Sequence, residues 1–220
     1  MPTSTVEDYV KAIYLLQQDA PDDEATVVRL AATLGVTKGS VTAMVRKLRD
    51  TGLADAERYG GIRLTPKGRA IAVDMIRRHR LIEVFLVGTL GLDWSEVYEE
   101  AHRLEHAMSR RVLDRLDAFL GRPRTDPHGD PIPDAQGRIV SPDQKPLSAL
   151  AKGEKGTIAR IDDHDPSFLE FAASKGLRPG TRIVVVDVVP EAESMSVRAS
   201  GREPIVLSFS AAGKIHTERA

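Results

Sequence analysis

Apolar positions in the first fifty residues recur at helical spacing. Val6, Tyr9, Val10, Ile13 and Leu16 repeat every three to four residues, which predicts a helix over residues 5–19 with Ser4 or Thr5 available as its cap. The acidic segment "DAPDDE" ends it. Val27, Leu30, Ala31 and Leu34 form a second stripe, Gly35 stops that helix, and Thr37 stands ready to cap a third carrying Val41, Met44, Val45 and Leu48. Two short helices across a glycine turn predict a helix-turn-helix. In "LADAERYGGIRLTPKGRAIA" the pattern predicts a short strand, a turn at Gly60-Gly61, a return strand from Ile62 to Leu64 and a new helix from about Pro66. A hairpin placed behind a recognition helix is a wing.

Helical periodicity continues from Gly68 to Leu92, again from about Trp94 to Met108, and through "SRRVLDRLDAFLG". Apolar helices that follow a small DNA-binding unit predict an interface with a second copy of the chain. Repeated Pro and Gly in "GRPRTDPHGDPIPDAQGRIVSPDQKP" exclude a helix there and predict an irregular strap followed by a linker. Beyond it, "KGTIARIDD", "TRIVVVDVV", "SMSVRASG" and "EPIVLSFS" are β-prone runs, with "DPSFLEFAASKG" as a single helical insertion. Short strands separated by turns predict a small β-barrel.

Charge refines this picture. The chain carries 31 Lys plus Arg against 32 Asp plus Glu, a net charge of -1 that argues against a wholly basic nucleic-acid binder. From Arg29 to Arg80, however, twelve basic residues face only Asp50, Asp55, Glu57 and Asp74. One basic surface on an otherwise acidic protein therefore coincides with the helix-turn-helix and wing. Thr37, Lys38, Gly39, Ser40, Thr42 and Ala43 lie in the first turns of the recognition helix, where side chains approach base edges. Arg46, Lys47 and Arg49 are placed for phosphates, and Arg58, Arg63 and Lys67 extend those contacts through the wing.

With no cysteine, disulfides and thiolate zinc sites are excluded. The start of the chain does not read as a signal peptide and no run approaches a membrane span, so a cytoplasmic protein is expected. The chemistry-bearing residues are the histidines of "HRLEH". On a helix, His102 and His106 share a face with Glu105 beside them, and His79 and Glu83 repeat the four-residue spacing on the preceding helix. Two imidazoles and a carboxylate can supply three ligands to a divalent ion. An enzyme is the competing reading, a metalloenzyme with an attached winged helix. Against it, "HRLEH" lacks the glutamate beside the first histidine that activates metal-bound water in "HExxH", and no nucleophile elbow or phosphate-binding glycine loop is present.

The segments "VEDYVKAIYLL", "LGVTKGSVTAMVRKLRDTGL", "LTPKG", "RRHRLIEVFL", "EEAHRLEHAMS" and "GDPIP", in this order, resemble the iron- and manganese-dependent transcriptional repressor family, in its longer three-domain form. The resemblance covers nearly the whole chain. It implies a mainly α protein with a winged helix-turn-helix at residues 1–72, a metal-binding and dimerisation domain at 73–137, a linker at 138–152 and a small C-terminal SH3-like β-barrel of FeoA type at 153–220. It also implies a homodimer that binds a double-stranded DNA operator and represses metal-uptake genes, with no membrane or small organic substrate as partner. Asp8, His102, Glu105 and His106 fall at the positions of one metal site, and His79 and Glu83 at those of a neighbouring site or, as in some members, of a two-metal cluster, which implies two ions per chain. The family's C-terminal domain can donate a ligand through its helical insertion, which holds Glu170 and is preceded directly by His164. His102 replaces the cysteine common in iron-type members and the glutamate of short manganese-type members. Lys11 occupies the place of a glutamate ligand in the latter, and Tyr98 that of an ancillary histidine in the former. A sulfur-free set of oxygen and nitrogen donors makes Mn(II) the expected effector, with Fe(II) as the alternative.

Overall fold

The computed structural model describes residues 2–19, 25–56, 61–140, 143–162 and 165–219. These fall into two compact units. One comprises Met1–His79, Leu104–Ser109 and Pro133–Arg138, the other Arg80–Arg103, Arg110–Ile132 and Ile139–Ala220.

In the first unit α1 (Ser4–Asp19) buries Val6, Tyr9, Val10 and Ile13. The predicted caps Ser4 and Thr5 lie inside this helix, and the first carbonyl to accept is that of Thr3, from Val6 N at 2.9 Å. α2 (Val27–Leu34) is capped by Thr26 and ends at Gly35, whose φ of 64° puts the backbone in the left-handed region that glycine enters without a Cβ clash. The turn leads straight to α3 (Lys38–Asp50), where the Thr37 hydroxyl accepts from Ser40 N at 3.1 Å. Val41, Val45 and Leu48 are buried at helical spacing and orient α3. Strands β1 (Ala54–Ala56) and β2 (Ile62–Leu64) pair antiparallel, with Ala54 opposite Leu64. The Gly60 turn and Arg58 lie outside the described residues.

α4 (Pro66–Gly88) starts at the expected proline. α5 spans Val97–Glu105, shorter at both ends than the predicted Trp94–Met108, and α6 spans Arg110–Phe119. The Pro/Gly segment is irregular, as its composition dictates, with an isolated bridge between Thr125 and Pro131.

The C-terminal part of the second unit differs from the predicted SH3-like barrel. Six antiparallel strands, β3 (Lys145–Pro146), β4 (Lys155–Ile161), β5 (Arg182–Val189), β6 (Ser194–Ala199), β7 (Ile205–Ser208) and β8 (Ile215–Arg219), lie in the order β3-β8-β4-β5-β6-β7. The sheet is open, because β7 and β3 do not pair with one another. Two features account for this. β3 is two residues long and one of them is Pro146, which has no N–H to offer a ladder. The apolar face is instead sealed by Phe168, Leu169 and Ala172 of α7 (Pro166–Lys175), Ala212 of α8 (Phe209–Gly213) and Leu147, which share one core with Ile158, Ile183, Val197 and Leu207. No helix among the described residues is long and apolar enough to cross a membrane.

Candidate metal centres and nucleic-acid surface

In the first unit, α1 brings Glu7, Asp8 and Lys11 to the end of α5. Glu105 is the last residue of that helix and is fully buried, and His106 lies in the turn that follows. His106 Nε2 stands 3.0 Å from Asp8 Oδ1 and 3.8 Å from Glu105 Oε1, while its Nδ1 lies 2.9 Å from Glu7 Oε2. A carboxylate on Nδ1 fixes the ring and its tautomer and turns Nε2 toward the other two acids, as is usual for histidines that ligate metals. Ligand atoms of Asp8, Glu105 and His106 lie within 4.8 Å of one another.

Glu105 also carries protein partners. Lys11 Nζ donates to both its oxygens at 2.9 and 3.1 Å, and His79 Nδ1 lies 2.7 Å from Oε2. Burial is the largest influence on this carboxyl and would raise its pKa. The His79 hydrogen bond and the charges of Lys11 and His79 together outweigh it and hold the pKa at about 2. Glu105 is thus anionic, and an ammonium already stands where a cation would bind. His102, half-buried, is one helical turn before His106.

The second group lies in the other unit. Glu83 of α4, Asp126 and His128 have ligand atoms within 4.8 Å of one another, and all three are buried. The local sequence "TDPHGDP" builds the turn that presents two of them. Asp126 Oδ1 accepts from His128 N and Asp130 N, both at 2.9 Å, an Asx-type closure. Gly129 has φ of 93°, and a Cβ there would meet the Ala159 carbonyl oxygen at 1.9 Å, so only glycine lets the turn lie against β4. Ile161 N donates to His128 O at 2.9 Å. Arg80 donates to Asp130 Oδ1 at 2.9 Å and to Pro131 O at 2.6 Å, with Nε 3.5 Å from Asp126 Oδ2. His128 Nδ1 has no hydrogen-bond partner among the described residues although it is fully buried, as a ligand nitrogen would be. Both donor sets, carboxylate oxygens and imidazole nitrogens without sulfur, fit a divalent first-row ion.

The residues expected at the metal sites are therefore distributed as follows. His79 meets Glu105, and Glu83 joins Asp126 and His128. Glu170 is exposed on α7 and belongs to neither group, and His164 lies outside the described residues. Glu7, Asp126 and His128 were not read from the sequence. The alternation Asp126-Pro127-His128-Gly129-Asp130 was the available signal, hidden because a turn has no fixed side-chain period.

The cap Thr37 and, on α3, Lys38, Gly39, Ser40, Thr42, Ala43, Arg46, Lys47 and Arg49 are all exposed, opposite the buried Val41–Val45–Leu48 stripe. Arg63 and Lys67 are exposed as well, and Lys67 Nζ donates to Thr51 O at 3.3 Å. α6 shows a second surface: it buries Leu113 and exposes Val112 and Phe119, at 53% and 69%.

Three protein families match the chain in succession. The N-terminal DNA-binding domain of the iron dependent repressor matches residues 1–62, its metal binding and dimerisation domain residues 65–134, and the FeoA domain residues 145–219. The "Iron-dependent repressor IdeR" of Mycobacterium leprae is 30% identical, over 98% of this chain and 97% of its own. The "HTH-type transcriptional regulator MntR" of Lysinibacillus sphaericus is 39% identical over 53% of this chain and 81% of its own. Among solved structures, a "Manganese-dependent transcriptional repressor complex with manganese" superposes with a TM-score of 0.92 at 40% identity, covering 98% of this chain and 100% of that one.

Proposed function

The chain belongs to the iron- and manganese-dependent repressor family, and from that premise we propose that it is a homodimeric repressor whose grip on operator DNA depends on a divalent ion held by Asp8, Glu105 and His106. Membership makes it a metal-dependent transcriptional repressor, a regulator and not an enzyme. The observation that carries the finer reading is His106, which Glu7 orients and which faces Asp8 and Glu105 with its second nitrogen. His102, in the last turn of α5, is proposed as a fourth donor. Glu83, Asp126 and His128 are proposed to hold a second ion.

Asp8 lies on α1, whose apolar face packs in the DNA-binding unit, whereas Glu105 ends α5 and His106 follows it. A bound ion supplies a positive charge that fastens α1 to the end of α5. Such a fastening favours the arrangement in which two recognition helices meet successive grooves. α3 offers Lys38, Ser40 and Thr42 to base edges and Arg46, Lys47 and Arg49 to phosphates, while the exposed apolar face of α6 supplies contact area for the second copy. Repression of metal-uptake genes in the cytoplasm follows from this reading.

Two effectors fit the donors. The full-length curated relatives are iron-dependent repressors, which favours Fe(II) over the Mn(II) first expected. The absence of sulfur and the 40% identical manganese-dependent structure support Mn(II) as the second reading. Anaerobic titration with Fe(II), Mn(II) and Zn(II) in one buffer, followed by DNA binding, tests both. Activation by Fe(II) at much lower free concentration than Mn(II) is the iron result, and the reverse order the manganese result. A protein that stays monomeric and binds DNA equally with and without every metal refutes the proposed function.

A further inference from the structure

His128 is held in a way that singles out Trp94. The Trp94 carbonyl oxygen lies 2.7 Å from His128 Nε2. A carbonyl only accepts, so Nε2 carries the proton and Nδ1 presents its lone pair. Nδ1 is the buried nitrogen 3.9 Å from Glu83 Oε1. The indole stacks on the imidazole, with centroids 5.3 Å apart and planes 23° from parallel. Arg178, in the turn between α7 and β5, places its guanidinium 4.6 Å from the indole centroid. Trp94 itself is 3% exposed and belongs to the same apolar core as Ile158, Leu169 and Ile183 of the C-terminal sheet.

We propose that Trp94 is the positioning residue of the second metal centre. Its carbonyl sets the His128 tautomer and its indole sets the ring plane. Its seat in the sheet core, under Arg178, makes metal affinity at this centre depend on the packed C-terminal sheet. The inference rests on Glu83, Asp126 and His128 being ligands. Residues that orient a ligating histidine commonly change metal affinity by 10–100-fold. Metal binding and sheet packing are then linked, since an ion that binds only the packed form stabilises it.

The chain has one tryptophan, so its emission reports on this place alone. The test is a Mn(II) titration of the full-length protein, with free Mn(II) read by electron paramagnetic resonance and Trp94 emission read in the same samples. Glu83→Gln is expected to lose one Mn(II) equivalent and the emission change with it. Arg178→Ala, at an exposed side chain, and Trp94→Ala are expected to weaken that same equivalent by about tenfold or more and leave the other unchanged, with the fold of Arg178→Ala checked by circular dichroism. Both Trp94 variants keep the backbone carbonyl, and Trp94→Phe, which also keeps a ring to stack on His128, is expected to retain it to within about threefold. Equal weakening of both equivalents, or none in Arg178→Ala, overturns the positioning role. Two full equivalents in Glu83→Gln would instead overturn the ligand assignment itself.

Discussion

The two clusters use the same donor chemistry in opposite settings. Glu105 of the first has an ammonium on both carboxylate oxygens and an imidazole on one, so its charge is balanced by the protein itself. Glu83, Asp126 and His128 of the second are buried at 0%, 6% and 0% exposure, and two of them ride on a turn pressed against β4. An ion would therefore reach the first cluster in competition with Lys11, whereas at the second its binding would be tied to the packing of the turn on β4. Under the proposed function the first would serve switching and the second would hold the C-terminal sheet in place.

Gly129→Ala attacks the second cluster alone and carries the largest expected effect. The added methyl has nowhere to go but into the Ala159 carbonyl, and the left-handed backbone is strained as well. We expect loss of about 3 kcal/mol or more, together with one metal equivalent, measured by urea unfolding and metal titration. Retention of both equivalents would show that the turn does not need β4.

Lys11→Gln attacks only the first. Without the ammonium the buried Glu105 loses its lysine partner, and removing one member of a buried pair costs about 3 kcal/mol in the metal-free protein. The same change removes the competitor, so metal affinity at this cluster should rise by about tenfold, or 1.4 kcal/mol. Calorimetric titration reads the second effect and thermal unfolding the first. Unchanged affinity would remove Lys11 from the account.

A smaller effect links pH to the sheet beside the second cluster. Arg160 lies 3.5 Å from Asp130 and donates to His216 Nε2 at 2.8 Å, which requires a neutral His216. Burial, then the Arg160 charge, lower the His216 pKa to about 4, against an opposing pull from Asp162. A histidine depressed on folding stabilises the native state fully above its unfolded value near 6.5, and that contribution is lost as pH falls toward 4. Between pH 7.5 and 4.5 we expect a loss on the order of 2 kcal/mol that is largely absent in His216→Gln. Identical pH profiles in urea unfolding would contradict this.

Much of the helical half was legible because its signals are local. Gly35, Thr37 and the Val41–Val45–Leu48 stripe specify their turn, cap and buried face without help from distant residues. The pair Glu105 and His106 was legible for the same reason, since adjacent residues near a helix end keep their relation in the fold. The second cluster was not, because it joins Glu83 to Asp126 and His128 across some forty residues and through a turn defined by backbone contacts to β4. The sheet misled for a related reason. Its strand runs were visible, but β3 and β8 were not among them, and closure depends on whether β3 reaches β7, which short alternating runs do not encode. Helical side chains filled the core that a barrel would have closed with strands.

In the proposed switch, α1 and the end of α5 are joined through a metal at Asp8. The most direct test measures operator affinity against free Fe(II) and Mn(II) for the wild type and Asp8→Ala, using a duplex the wild type selects from a random pool. We expect metal to tighten wild-type binding by about tenfold or more, a coupling of at least about 1.4 kcal/mol, and Asp8→Ala to remain a dimer with most of this coupling gone. Equal metal dependence in the two proteins would contradict it.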